Sequence, residues 1–237
     1  LDPCSGSAVI TDPNTGAILA CVSYPGYDNN RLANQMDTAY WAKLNTDESS
    51  PLYNKATQQK TAPGSTFKPL IAVAGLSEGI ITPTSIINCN GLFGEGLVNE
   101  SDYVHCHQLS GHGDLNIVGA IQNSCNVFFS EMGHRLSMDE NGNYSPEFGI
   151  EKIRKYASLF GLDETSGIEI AEREPQMTTE KPEASSIGQG KNSYSNVQLS
   201  RYITAVANKG TVFKLSLLDK MTDSQENLLE DFTPEVR

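Results

Sequence analysis

The sequence predicts an α+β fold, on three observations. Two short apolar runs near the N-terminus flank a turn and read as a β-hairpin. Apolar residues at helical spacing then recur in separate stretches through the middle of the chain. Extended residues return after Gly210. Strands first, helices next and strands last do not fit an alternating βαβ pattern.

The elements follow in order. Ala8-Val9-Ile10 and Ala17 to Val22 flank Asp12-Pro13-Asn14-Thr15-Gly16, which predicts a hairpin over 7–24. Tyr24-Pro25-Gly26-Tyr27-Asp28 breaks the second strand, and a polar stretch holding Trp41, the lone tryptophan, runs to Gln59. Ala62-Pro63-Gly64 is a turn signal, and the apolar run after it predicts a helix over 65–79. Pro69 falls in its first turn, where a missing N–H costs little. The segment from Pro83 to His112 is rich in Gly and Asn and has room for a short hairpin. Leu115 to Asn123 fits a short helix. Ile150, Ile153, Ala157 and Phe160 fit helical spacing, with Gly161 as the stop. Val197 to Asn208 fits another helix, with Leu199, Ile203 and Val206 as its apolar face and Gly210 as the C-terminal cap. Thr211 to Leu218 is β-like, Thr222 to Asn227 a turn, and Leu228 onward a return strand or tail. No internal repeat is evident.

Composition narrows the function classes. With 237 residues the chain can form one large domain or two small ones. A hydrophobic share of 38% and a charged share of 19% are those of a globular protein. The formal net charge of -12 disfavours nucleic acid or an anionic membrane surface as the main partner. No window approaches the ~18 apolar residues of a membrane span, and no signal peptide is visible. The chain opens at Leu1 without an initiator methionine, so a piece of a longer protein is expected.

Five cysteines, Cys4, Cys21, Cys89, Cys106 and Cys125, cannot all pair within the chain. Cys89 and Cys106 flank the glycine-rich stretch from Gly91 to Gly96 and can bridge in an oxidising compartment; the residues leave that open. His105, Cys106, His107 and His112 crowd together and raise the question of zinc. Zinc sites usually draw on two separated ligand pairs, so the reading here is a polar loop beside a cleft, with no metal and no cofactor.

The chemistry concentrates at Ser65-Thr66-Phe67-Lys68. Ser65 and Lys68 are three apart, so they share one helical face. A serine alone is a weak nucleophile. A neutral lysine beside it can take its proton, and burial can lower the lysine pKa enough for that. A helix N-terminus offers backbone N–H groups to a developing oxyanion. Taken alone, a capping serine and a solvated lysine explain the pattern better. Three further pieces join it: Ser124-Cys125-Asn126, Gly111-His112-Gly113, and Ser186-Ile187-Gly188-Gln189-Gly190. A Ser-Asn pair supplies one rotatable O–H and one rigid donor–acceptor amide. On its own it also fits a helix C-terminal turn that satisfies its own backbone.

Together with the Asp12 to Gly16 hairpin, these motifs resemble the transpeptidase domain of penicillin-binding proteins, most of all the monofunctional class B type. The resemblance runs from about Ser7 to at least Gly210. It implies the antiparallel sheet and helical subdomain shared by penicillin-binding proteins and serine β-lactamases. The chain would then be one partial domain over 1–237, with the hairpin 7–24, a nucleophile helix 65–79, a helical subdomain over about 83–210 and a β-like tail 211–237. Ser65 would be the acylated nucleophile, Lys68 its general base, and Ser124 the proton relay to the leaving amine. Asn126 would bind the substrate amide, and Gly188, Gln189 and Gly190 would line the substrate site.

The family's third motif, K-[TS]-G, is missing. Lys209-Gly210-Thr211 has those residue types in another order. The fold is therefore expected to be incomplete at its C-terminus, with an exposed sheet edge, and acylation by this chain alone to be slow or absent. One lost oxyanion donor costs on the order of 10²–10³ in rate.

The implied reaction is acyl transfer on D-alanyl-D-alanine stem peptides, cross-linking peptidoglycan, with β-lactams as covalent mimics. The implied partners are those peptides, β-lactam antibiotics and proteins of wall elongation or division. The implied place is the outer face of the cytoplasmic membrane, through an N-terminal anchor that this chain lacks. A serine D,D-carboxypeptidase or β-lactamase is the closest alternative, and a non-catalytic β-lactam sensor or scaffold is one of another class. No deacylating glutamate stands beside Ser124-Cys125-Asn126, and a scaffold needs neither Ser65 nor Lys68.

Overall fold

The computed structural model describes residues 5–96 and 99–237; Cys4 lies outside them. Strands β1 (Gly6–Thr11) and β2 (Ile18–Tyr24) come first, followed by α1 (Thr38–Thr46), β3 (Lys60–Thr61) and α2 (Lys68–Ser77). Four short strands follow, β4 (Ile87–Cys89), β5 (Leu92–Phe93), β6 (Val104–His105) and β7 (Gly113–Leu115). The helices α3 (Ile117–Gln122), α4 (Asn126–Leu136), α5 (Pro146–Leu159) and α6 (Pro182–Ser185) come next. The chain ends with β8 (Tyr194–Ser195), α7 (Asn196–Ala207), β9 (Lys220–Thr222) and β10 (Leu228–Asp231). This is the α+β content that the pattern predicts. Among the described residues no helix is long and apolar enough to cross a membrane.

The chain divides into two compact units. One takes the chain as far as Lys60, then Glu164–Pro175 and Tyr194–Arg237. Its β1–β2 ribbon is antiparallel, from Gly6 opposite Tyr24 to Thr11 opposite Ile18, with a register shift between Ile10 and Thr11. Asp12 holds the turn by accepting from the Asn14 N–H at 2.9 Å. Gly16 closes it at φ 77°, and a Cβ there would stand 2.5 Å from the Phe213 Cβ, so no larger residue fits. Helix α7 packs on β1. It starts in a capping box, in which the Ser195 hydroxyl and the Gln198 side chain satisfy each other's backbone N–H groups. Val197, Ile168 and Leu215 form a small apolar core that Val9 and Ile18 join. β9 and β10 pair as a second antiparallel ribbon, exposed along its whole length.

Two details of this unit differ from the sequence pattern. Leu199, Ile203 and Val206 are not the buried face of α7: Ile203 is 44% exposed and Val206 41%. The buried face is Val197, Gln198, Arg201, Tyr202, Thr204 and Ala205. Its polar members have partners: Gln198 Nε2 donates to Glu172 Oε1 at 2.7 Å, and Arg201 Nη2 to the Glu164 carbonyl at 3.2 Å. A polar side chain can occupy the buried face where a partner waits, and an apolar count does not see partners. Gly210 is not the first left-handed residue after α7. Lys209 takes that position at φ 70°, and the Gly210 N–H reaches the Ala205 carbonyl at 2.7 Å.

The other unit comprises Thr61–Asp163 and Gln176–Ser193. Its core is α2, α4 and α5. Leu70, Ile71, Phe128, Phe129, Met132, Leu136 and Ile153 are all fully enclosed. Gly75 lets α2 approach α4, since a Cβ there would meet the Met132 Cε at 2.0 Å. Two small antiparallel ribbons, β4 with β7 and β5 with β6, flank this core. Helix α6 packs on α4. Three helices escape the sequence pattern; α6, of four residues, is too short to show a period. α4 buries eight of its eleven residues and leaves Glu131 and Arg135 partly exposed as an i,i+4 pair, so its buried face is too wide to stand out as a stripe. α1, in the other unit, buries only Leu44 and is marked by one cap, Asp37 accepting from the Tyr40 N–H at 2.9 Å.

Candidate active site

The second unit carries Ser65, Lys68, Ser124 and Asn126 in one hydrogen-bonded cluster. Ser65 sits in a single 3₁₀ turn, Gly64–Phe67, and is exposed. Lys68 opens α2 directly after that turn and is 2% exposed. The two residues share a face as their spacing predicts, but the link between them runs through Ser124. The Ser124 hydroxyl donates to Ser65 Oγ at 2.9 Å. Lys68 Nζ donates to Ser124 Oγ at 3.0 Å, to the Ser124 carbonyl at 2.7 Å and to Asn126 Oδ1 at 2.7 Å. These three oxygens match the three N–H bonds of an ammonium. Burial pulls the amine down from its usual 10.5 to about 8, against the opposing pull of Cys125 and Cys106. Lys68 is therefore a charged, satisfied group at neutral pH whose neutral form lies close at hand.

The backbone between α3 and α4 explains how Ser124 offers two oxygens. Ser124 is left-handed at φ 47°, its N–H reaches the Ile121 carbonyl at 3.0 Å, and the Cys125 N–H reaches the Ala120 carbonyl at 3.0 Å. This is a Schellman close with serine where glycine is usual. A left-handed non-glycine residue costs about 1–2 kcal/mol. Cys125 then caps α4, its Sγ accepting from the Phe128 N–H at 3.4 Å. Asn126 is braced on its other side, where Nδ2 donates to the His105 carbonyl at 3.1 Å. The turn satisfies its own backbone and also aims the Ser124 and Asn126 side chains at Lys68 and Ser65.

Gly188 lies behind the Ser65 turn. The Gly64 N–H donates to the Gly188 carbonyl at 3.0 Å. Gly188 has φ 74°, and a Cβ there would come 2.0 Å from the Gly64 carbonyl oxygen. Its backbone thus sets where the turn sits. Gln189 and Gly190 are exposed, with the Gln189 carbonyl held by Asn192 Nδ2 at 3.2 Å.

A second cluster lies beside the first. Cys89, Cys106, His112 and Cys125 place one ligand atom each within 4.8 Å of every other. His112 Nδ1 is 3.5 Å from Cys106 Sγ and 3.6 Å from Cys89 Sγ, and Cys106 Sγ is 4.0 Å from Cys125 Sγ. All three thiols are free and buried. Burial pushes Cys125 up to about 12. Burial raises Cys106 as well, but the N–H groups of Gln108, Asn126 and Val127 outweigh it and bring the thiol below its usual value. Three thiols and an imidazole match the Cys₃His donor set of a tetrahedral zinc site. The sequence pattern pointed away from metal because the ligands are not two separated pairs. The missed donors are Cys89 and Cys125, the latter hidden in Ser124-Cys125-Asn126, while His105 and His107 are not in the set.

The family model for the penicillin binding protein transpeptidase domain matches residues 6–236. The peptidoglycan D,D-transpeptidase MrdA of Haemophilus influenzae is 30% identical over 214 residues, covering 87% of this chain and 32% of that protein. The peptidoglycan D,D-transpeptidase PbpA of Mycolicibacterium smegmatis is 30% identical over 241 residues, covering 98% of this chain and 47% of that protein. The chain thus spans between a third and a half of the length of these relatives. The fold is also that of penicillin-binding protein A from Mycobacterium tuberculosis, solved as a penicillin G acyl-enzyme complex. The TM-score is 0.85 at 24% identity, over 99% of this chain and 53% of that one. The chain belongs to the penicillin-binding protein transpeptidase family.

Proposed function

We propose that this chain is the nucleophile-bearing part of a peptidoglycan D,D-transpeptidase, acting on D-alanyl-D-alanine stem peptides through an acyl-serine and acylated by β-lactams. The observation that carries the reading is the continuous path Ser65 Oγ–Ser124 Oγ–Lys68 Nζ. For attack, the hydrogen bonds along it reverse. Neutral Lys68 accepts the Ser124 proton while Ser124 accepts the Ser65 proton, and Ser65 Oγ bonds to the substrate carbonyl carbon. The C–N bond to the terminal D-alanine, or the lactam C–N bond, then breaks. The proton returns along the same path to the leaving nitrogen. Asn126, held by both Lys68 and the His105 carbonyl, would bind the substrate amide. An acceptor amine then releases the acyl group.

The domain works outside the cytoplasmic membrane in this reading, where the wall is built, and elongation or division proteins are the implied partners. Intact mass after incubation with a penicillin tests it. A mass gain equal to one β-lactam is expected, slowly or only once a K-[TS]-G strand is supplied, and a folded chain that gains nothing even with that strand supplied overturns it.

The pH profile follows from Lys68. Its neutral form is the base, and that form increases as pH rises through about 8. Below that point the acylation rate should rise about tenfold per pH unit, and above it level off. A chromogenic cephalosporin followed from pH 6 to 10 reads this; a flat or falling profile removes Lys68 as the base.

Cys89, Cys106, His112 and Cys125 would hold a zinc ion. It would supply no reaction step here and would pin Cys125, and with it the Ser124 and Asn126 side chains, to β4 and to the residue after β6. Zinc at a thousandfold excess over its Kd adds about 4 kcal/mol, or about 8–16 °C in melting temperature for a chain of this size. His112→Ala should remove most of that shift. A melting curve indifferent to both zinc and chelator rejects the site.

A further inference from the structure

Helices α4 and α6 each carry one side of the Ser65–Ser124 contact. α4 begins at Asn126, and its cap Cys125 follows Ser124 directly. α6 runs on into Gly188. The Gly188 N–H reaches the Ser185 carbonyl at 3.0 Å, and the Gln189 N–H reaches the Ala184 carbonyl at 3.0 Å, so Gly188 is closed onto the helix. The Gly188 carbonyl then accepts from the Gly64 N–H at 3.0 Å and seats the Ser65 turn. How α6 lies on α4 therefore helps set how Ser65 lies against Ser124.

Small residues fix how close the two helices come. A Cβ at Gly133 would stand 2.5 Å from the Pro182 carbonyl oxygen and 2.5 Å from Ser186 Oγ, so α6 rests on the backbone of α4. The Ser130 hydroxyl donates to the Glu183 carbonyl at 3.3 Å. Apolar contact between small residues is not directional, so it sets a distance better than a register. His134 supplies direction. It stands eight residues along α4 from Asn126, about 12 Å at 1.5 Å per residue. Its Nδ1 lies 3.0 Å from Glu183 Oε1, with both side chains only 7% exposed. Tyr144 closes on the pair from a third side. Its hydroxyl donates to the same oxygen at 2.9 Å, and its ring stacks on the imidazole with centroids 4.7 Å apart. A buried pair of this kind adds little net stability, because desolvation offsets attraction. What it supplies is a fixed geometry between two elements.

We propose that His134 and Glu183 are positioning residues for acyl transfer: their bond holds α6 in register on α4 and so, through Gly188 and Gly64, holds Ser65 Oγ within reach of Ser124 Oγ. The consequence rests on the acyl-transfer reading; the geometry does not. Neither side chain enters the path from Ser65 through Ser124 to Lys68. Without their bond α6 can slide, Gly188 slides with it, and the Ser65 turn moves against the relay. A displacement of 1 Å at the nucleophile costs about 10² in rate.

The test compares the unaltered chain with His134→Ala, His134→Asn and Tyr144→Phe by two readouts. One is hydrogen exchange at the Gly64 amide, which reports the seat itself and needs no β-lactam. The other separates the acylation rate constant from the dissociation constant of the complex that precedes it. It uses a chromogenic cephalosporin, with a K-[TS]-G strand supplied where acylation requires it. In His134→Ala the Gly64 amide should exchange at least about tenfold faster while the amides of α3 keep their rates. The acylation rate constant should fall at least about tenfold with the dissociation constant nearly unchanged. His134→Asn should restore most of both, since its amide nitrogen can donate from the place of Nδ1. A merely structural pair would instead speed exchange in α3 as well and lower the fraction of chain that reacts, with the rate constant unaltered; that result overturns the proposal. Unchanged Gly64 exchange in His134→Ala overturns it too. If His134→Ala does not fold, Tyr144→Phe decides: it removes one donor from Glu183 and keeps the stacked ring. Faster Gly64 exchange there supports the clamp, and an unchanged amide overturns it. In a chain that never acylates, faster Gly64 exchange still supports the clamp while the acyl-transfer reading falls, so the two fail separately.

Discussion

Ser65→Ala should abolish the penicillin adduct while leaving the fold unchanged. Ser65 is exposed, and its side chain makes one hydrogen bond, to Ser124. Its removal touches no core, so the stability change should stay within about 0.5 kcal/mol, as for surface positions in general. The chemistry has no substitute. The Ser124 hydroxyl is nearest to Lys68, but it sits on a left-handed turn between two helices rather than at the mouth of the site. The measurement is intact mass at saturating penicillin, paired with a thermal melt of both proteins. A surviving adduct of the same mass would move the nucleophile elsewhere. An unfolded Ser65→Ala protein would contradict the exposed, singly bonded serine seen here.

Gly188→Ala should nearly silence the same reaction without touching a reacting atom. The new methyl group would stand 2.0 Å from the Gly64 carbonyl oxygen, and the residue would be left at φ 74°. Left-handed backbone costs about 1–2 kcal/mol, and an overpacked contact about 1–3 kcal/mol more. The contact is backbone on backbone, so no rotamer can relieve it. Relief must come from shifting Gly64, and Gly64 carries Ser65. A displacement of about 1 Å at the nucleophile is worth around 10² in rate. The expected outcome is a chain that melts several degrees lower and acylates about a hundredfold more slowly at saturating β-lactam. Loss of stability with an unchanged rate would mean that Gly188 supports the unit but not the turn.

Much of this site is legible in one dimension because its parts are local. Pro63-Gly64 followed by an apolar run marks a turn opening a helix, and Ser65 and Lys68 lie within one turn of each other. Asp12 to Gly16 marks a hairpin by the same short-range rules, and Gly161 stops α5 where a left-handed residue is needed, at φ 75°. Periodicity failed where burial was nearly complete or polar. α4 is enclosed except at its N-terminus and along the Glu131–Arg135 pair, and the buried face of α7 carries Gln198 and Arg201, whose partners come from Glu164 to Arg173.

What the sequence determined by itself, then, is the α+β order of elements, the hairpin, the helix behind Ser65, and the residue types able to do acyl transfer. Tertiary structure alone decided the rest. Lys68 meets Ser124 and Asn126 across more than fifty residues, and only their approach buries the amine and lowers it to about 8. Cys89, Cys106, His112 and Cys125 converge from four segments. The reason is physical. Turns and caps depend on dihedral preferences of a few adjacent residues, which the chain carries wherever it is. A shifted pKa or a ligand set depends on which distant groups exclude water from one another, and that exists only once the chain has packed.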